Sequence, residues 1–311
     1  MKSATKLASE LIFSGAVVVL ITWSAACPIH AAAQSGSQGQ NAVYPAPPGA
    51  CCVGSSAFID ASMFLGTNST ICSIIYTILQ PAGYSAAVID ARGLNSANTN
   101  MTCAAGWSPW NNGMTYLNKP STILLPAGTV VIPTTWVMPN NTRIIGAGDA
   151  LDYLSTGTVS VGTTLQACKS AINGCSFNTN NADMIDLGSP SCPITGGTAI
   201  CNNVAVENLT LDGLGQSLNG IVNTNAQTGS RVDHVSLFQI LGTGLWLEEN
   251  ANYSGPYSNI TFDSGSFGAV GPCVNINGLS STRGIHGSLW KILSIGRIYT
   301  IGLNSSHPTE I

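Results

Sequence analysis

The sequence predicts an all-β fold, a parallel β-helix led in by one short capping helix. Three observations carry that reading. A short phrase returns at 206–212 (VENLTLD), 232–238 (VDHVSLF) and 257–263 (YSNITFD), with a weaker copy at 282–287. Leu209, Val235, Ile260 and Ile285 share one position of it, at intervals of 26, 25 and 25 residues. A fixed period in this range marks a solenoid, whose units bury their apolar faces only by stacking on one another. Within the phrase apolar and polar residues alternate, which is the period of a strand and not of a helix. Each period also carries a second short strand, at 220–222, 244–247 and 273–276.

In chain order, residues 1–33 read as a secretory signal peptide. Lys2 and Lys6 supply the positive start, 11–26 the apolar core, and Ala31, Ala32 and Ala33 the small residues before a cleavage point at Gln34. The apolar run is short for a membrane span, and no later stretch is long enough for one. Lipid anchoring at Cys27 is the lesser reading, because Ser24 stands where that motif carries leucine. The expected location is secreted, periplasmic or cell-surface. Residues 34–57 form a linker, rich in Ser, Gly and Gln and then in Pro.

A helix is expected from about residue 70 to 79. Ile71, Ile74, Ile75, Ile78 and Leu79 fall on one face, Ser69 or Thr70 caps the start, and Pro81 with Gly83 ends it. Its expected role is to cover the open apolar end of the stack. The first strand is expected at 86–93. Trp107, Trp110 and Tyr116 in the next loop read as packing residues rather than sugar platforms, since large aromatics are mostly buried. Strands follow at 122–132 around Pro126, at 136–148, at 163–167 and at 183–187. One β-helix domain is expected over 58–287, and 288–311, which lacks the phrase, reads as an atypical, truncated tail.

Charged residues are 8% of the chain and the formal charge is −4, so there is no basic patch for nucleic acid. Ten cysteines, nine after cleavage, suit an oxidising compartment. Cys168 with Cys175 and Cys192 with Cys201 are close enough in sequence to staple loops, Cys72 with Cys103 would bridge the N-terminal segment and the first coil, and Cys51, Cys52 and Cys273 are left over. No C-x-x-C occurs and the histidines are scattered, so no metal site is expected. Asn208 and Asn259 share one position of the phrase, where asparagine tolerates the left-handed backbone of a tight bend and can stack in a ladder. His234 occupies it in the middle copy and reads as a turn residue of the same column.

The phrase VENLTLDG, preceded by ILLPAGTVVI at 123–132 and NTRIIGAG at 141–148, resembles the pectate lyase superfamily, more narrowly its rhamnogalacturonase/epimerase-like domain. The resemblance covers 84–287. It implies a right-handed parallel β-helix and a secreted protein that acts on or binds polysaccharide, as a polysaccharide lyase or a glycoside hydrolase of acidic glycans. Ca²⁺ would be its cofactor if it is a lyase. The GDGVTDDT opening and the Asn-Thr-Asp, Asp-Asp, Gly-His and Arg-x-Lys set of the related hydrolases are absent. A non-catalytic surface or glycan-binding β-helix is therefore the alternative.

Alternation assigns the outward side chains. With Leu209 and Leu211 pointing in, Thr210 and Asp212 point out. One outward column holds Thr210, Ser236, Thr261 and His286, and the next Asp212, Phe238 and Asp263. Asp212 and Asp263 would stand two strands, about 9.6 Å, apart. That is near the upper end of the roughly 6.5–9.5 Å between the carboxyls of inverting glycosidases. Asp212, Asp263 and His286 are the expected catalytic residues, with Phe238 as a sugar platform and Trp246, Glu248 and Glu249 as further substrate contacts. The competing reading is turn chemistry, since Asp and Gly after a strand both favour tight bends. Glu207, Asp233 and Arg283 make a third outward column.

Overall fold

The fold is that of a computed structural model, which describes residues 56–67, 69–80, 86–149, 162–169, 174–177, 182–188, 191–195, 198–248, 253–263, 271–276, 290–292 and 301–303. The expected signal peptide, Cys27, Cys51, Cys52, Glu249, Arg283 and His286 lie outside them.

The described chain is mostly β. It runs β1 (Ser56–Asp60), α1 (Ile71–Leu79), β2 (Ala86–Asp90) and a small hairpin of β3 (Trp107–Ser108) and β4 (Asn111–Asn112). Next come β5 (Ser121–Leu124), β6 (Gly128–Ile132), β7 (Trp136–Met138), β8 (Thr142–Ile145), β9 (Thr163–Ala167) and β10 (Asp183–Leu187). A second hairpin, β11 (Ile194–Thr195) with β12 (Thr198–Ala199), precedes β13 (Ala205–Gln216), β14 (Asn219–Asn223), β15 (Arg231–Ile240) and β16 (Leu245–Leu247). The last described strands are β17 (Tyr257–Asp263), β18 (Val274–Ile276), β19 (Trp290–Ile292) and β20 (Ile301–Leu303).

Two parallel sheets result. The first has the order β1-β2-β5-β8-β13-β15-β17-β19, with β9 also on β13 and β6 on β9; the second has the order β7-β10-β14-β16-β18-β20. From β13 to β20 the chain visits the two sheets in alternation, which is why the sequence phrase and its second short strand share one period. The register is the one the repeat requires: Leu209 faces Val235 and Val235 faces Ile260.

Apolar columns between the strands form the core. Ile59, Ile89, Ile123, Ile144, Val206, Val232 and Tyr257 succeed one another strand by strand and all are buried. Leu165, Leu211, Leu237 and Phe262 form a second column, and Trp136, Ile185, Ile221, Leu245 and Val274 line the other sheet. Branched residues dominate because they fit a pleated surface packed on one side. Polar side chains are buried as well, among them Asn223, which is fully buried. It donates to the Tyr257 hydroxyl at 2.7 Å and to the Ala226 carbonyl at 2.9 Å, and the Tyr257 hydroxyl donates to Ser254 at 2.7 Å.

Asn208, His234 and Asn259 have φ of 56°, 52° and 53°, so the expected left-handed column is real and His234 belongs to it. A second such pair, Asn141 and Asn203, is linked by an amide hydrogen bond of 2.9 Å. Helix α1 begins at a capping box in which Thr70 and Ser73 satisfy each other's backbone N–H, and it packs against β2 and the β3–β4 hairpin. Trp110 is fully buried, edge-on to Trp136, with its indole N–H donated to Ser121, so it packs as expected.

Three points differ from the expectations. The first sheet begins one strand earlier than residue 86: β1 precedes the helix and takes in Ser56 and Ala57 of the expected linker. The segment set apart as a tail supplies β19 and β20, which continue both sheets. The partner of β17 is β19, so Lys291 and not Arg283 follows Glu207, Asp233 and Ser258 in their column. Among the described residues three disulfides form, Cys72–Cys103, Cys168–Cys175 and Cys192–Cys201, the expected pairs, and they fit an oxidising compartment. No helix among the described residues is long and apolar enough to cross a membrane.

Candidate functional site

The register sets Asp212 opposite Phe238 and Phe238 opposite Asp263, so the two aspartates do stand two strands apart. Their surroundings differ from an open groove. Asp212 is only 3% exposed, and both carboxylate oxygens are occupied. Gln166 of β9 donates to Oδ2 at 2.9 Å, and the Leu214 backbone N–H donates to Oδ1 at 2.9 Å. The second bond is the Asx turn expected of an Asp-Gly bend. Phe238 is 8% exposed, and Thr210, Ser236 and Thr261 of the neighbouring outward column are buried as well. Asp263 is half-buried.

The third outward column is an ion cluster. Glu207 receives Arg143 of β8 on one oxygen and Arg231 of β15 on the other, the latter at 2.7 Å. Asp233, one strand on, accepts from Ser258 Oγ at 2.6 Å and Asn259 Nδ2 at 2.9 Å, with His234 Nδ1 2.9 Å from its other oxygen. Burial works to raise the Asp233 pKa, but these three hydrogen bonds outweigh it and hold the group below the ordinary carboxylate value.

A different set of acids gathers on the second sheet. Asp186 of β10, Val222 of β14, Trp246 of β16 and Asn275 of β18 form one column on the face opposite the Ile185, Ile221 and Leu245 core column. Asp183 opens β10 and accepts the Asn219 amide at 2.8 Å, while Glu248 follows β16 with its N–H on the Asn223 carbonyl. Thr224 donates its hydroxyl to Asp186 at 2.8 Å. All three carboxyls are half-buried. Burial, helped by the charges of Asp183 and Glu248 and opposed by the Thr224 hydrogen bond, raises Asp186 to about 7. Burial raises Asp183 against the pull of Asn219, and burial followed by the Asp183 charge raises Glu248. The Trp246 indole nitrogen is shielded from solvent and has no hydrogen-bond partner among the described residues.

Of the expected site residues, Glu248 and Trp246 thus come together with each other, and with Asp183, Asp186 and Thr224, which the sequence reading passed over. Asp212, Phe238 and Asp263 form a separate column on the first sheet. The available signal was the pair of aspartates in DMIDL, acids in a strand with an otherwise apolar sequence. Among the described residues no three His, Cys, Asp or Glu side chains are grouped to hold a metal ion. The chain matches no family model, no curated protein and no solved structure.

Proposed function

We propose that this chain is an exported, right-handed parallel β-helix of the pectate-lyase-like kind. We further propose that it hydrolyses a polysaccharide laid along the outer face of its second sheet. The observation that carries the reading is Asp186, whose carboxyl is raised to about 7 beside two other carboxylates. A carboxylic acid that keeps its proton near neutral pH, close to one that is ionised, is the arrangement by which glycosidases divide the acid and base roles. Asp186 is the proton donor to the leaving oxygen and Glu248 the base for water. Glu248 lies two residues beyond Trp246, which shares the Asp186 column two strands away.

The test is an assay of the purified protein on neutral and acidic polysaccharides, with and without Ca²⁺, following reducing ends and unsaturated-sugar absorbance together. New reducing ends without unsaturation, reduced at least about 100-fold in Asp186→Asn, are the expected result, since a positioned acid contributes on that scale. Unsaturated, Ca²⁺-dependent ends would replace the hydrolase by a lyase. Glycan binding without any cleavage would leave a non-catalytic binding β-helix.

A further inference from the structure

We propose that Asn100 is an N-glycan acceptor when the chain passes through a compartment that supplies a lipid-pyrophosphate-linked oligosaccharide. In that transfer the sugar C1–O bond to pyrophosphate breaks, a bond from C1 to Asn100 Nδ2 forms, the amide nitrogen loses one proton, and the lipid pyrophosphate leaves. Nothing is oxidised or reduced. The inference depends on export and is independent of the hydrolytic reading.

Acceptor asparagines occur in N-x-S/T, and a bulky, hydrophilic glycan demands a surface position in the folded protein. Four such triplets have every residue described: Asn100-Met-Thr102, Asn140-Asn-Thr142, Asn208-Leu-Thr210 and Asn259-Ile-Thr261. Three are built into the stack. Thr142 and Thr210 are fully buried and Thr261 is 7% exposed. Asn140 holds the Asn202 N–H at 2.7 Å, Asn259 donates its amide to Asp233, and Asn208 stands in the left-handed column next to His234.

Asn100 differs on every count. Asn100 and Thr102 are both exposed. The Asn100 side-chain oxygen accepts the Thr102 N–H at 2.9 Å, an Asx turn that folds the hydroxyl-bearing residue back towards the amide. The Nδ2 group has no partner among the described residues. The backbone is fixed, with Asn100 N–H on the Ser69 carbonyl at 3.2 Å, Ile71 N–H on the Asn100 carbonyl at 3.0 Å, and the Cys72–Cys103 disulfide just beyond. Because sugar is added to the emerging chain, the folded structure acts as a filter. Chains modified at Asn208 or Asn259 must force a glycan into a stacked column, whereas a glycan at Asn100 meets solvent.

The full chain, made in a eukaryotic secretory host, would be mapped by peptide mass spectrometry before and after N-glycosidase digestion. A parallel version with a host signal sequence, and translation into microsomes, keep the readout independent of the chain's own export. The expected result is glycan on Asn100, none on Asn208 or Asn259 in the secreted protein, and loss of one glycan's gel shift in Asn100→Gln with unchanged thermal stability. Secreted, disulfide-bonded protein with Asn100 unmodified, or carrying glycan on Asn208 or Asn259, would overturn it. An unchanged gel shift of Asn100→Gln in microsomes would do the same.

Discussion

Thr224 and Asp186 sit one strand apart, and the threonine hydroxyl is donated to the aspartate at 2.8 Å. That bond favours the ionised form, yet burial and the neighbouring charges win and leave Asp186 near 7, against an ordinary value of 3.8. An aspartate that holds its proton more tightly when folded makes stability fall as pH rises between those two values. The loss approaches about 1.4 kcal/mol per pH unit while only the folded state is protonated. Asp186→Asn keeps an oxygen for Thr224 and removes the titration. Melting temperatures from pH 4 to 8 should show the variant gaining on the parent as pH rises, with the gain complete just above 7. Parallel curves would show that Asp186 titrates as an ordinary surface acid.

Glu207 ties three successive strands together through Arg143 and Arg231. Its side chain is 10% exposed and those of the arginines 39% and 33%, so the cluster lies between a surface pair and a buried one. Glu207→Gln abandons two guanidinium groups at once. A loss of about 1–3 kcal/mol is expected, discounted from the roughly 3–5 kcal/mol of a fully buried pair for the partial exposure of the arginines. Either Arg143→Met or Arg231→Met alone should cost less, because Glu207 keeps one partner. Urea midpoints of the three variants check the ranking, and equal losses would mean that the arginines pack without depending on the charge.

Tyr257→Phe tests the buried polar link between the sheets. The Tyr257 hydroxyl is pushed up to about 12 by burial and joins Asn223 to Ser254. The substitution leaves the ring but strips Asn223 of one acceptor and Ser254 of a donor where all three residues are buried. A cost of about 1–3 kcal/mol follows from the unsatisfied groups. Urea unfolding within a few tenths of a kcal/mol of the parent would mean that water or a rearranged Asn223 takes over.

The legible part of this fold is what the period controls. Leu209, Val235 and Ile260 share one position of the period and face one another strand to strand, and Asn208 and Asn259 mark the left-handed bend. Spacings of 7 and 9 residues mark two of the disulfides, Cys168–Cys175 and Cys192–Cys201. Alternation, however, says which side of a strand a residue faces and not what lies over it. Asp212 is engaged by Gln166 of β9, a strand outside the regular phrase, so nothing in VENLTLDG announced that its carboxylate is occupied. Asp186 was missed for a related reason. Residues 188–204 interrupt the period between β10 and β13, so spacing alone could not align DMIDL with the strands carrying Val222 and Trp246.

His234 separates the two roles a histidine at this bend can have. Its φ of 52° matches Asn208 and Asn259 one strand to either side, and its ring nitrogen lies 2.9 Å from Asp233. If the residue serves the turn, His234→Asn should be neutral within about 0.5 kcal/mol, since asparagine adopts this backbone readily and Asp233 keeps Ser258 and Asn259. His234→Val should cost about 1–2 kcal/mol, because a branched side chain at positive φ crowds its own carbonyl. If it serves as a base oriented by Asp233, His234→Asn should instead keep its stability and lose about 100-fold or more in turnover on any substrate found. Melting curves and turnover on the same two variants decide between them: a stable, fully active His234→Asn with a weakened His234→Val assigns His234 to the bend and leaves the chemistry to the second sheet.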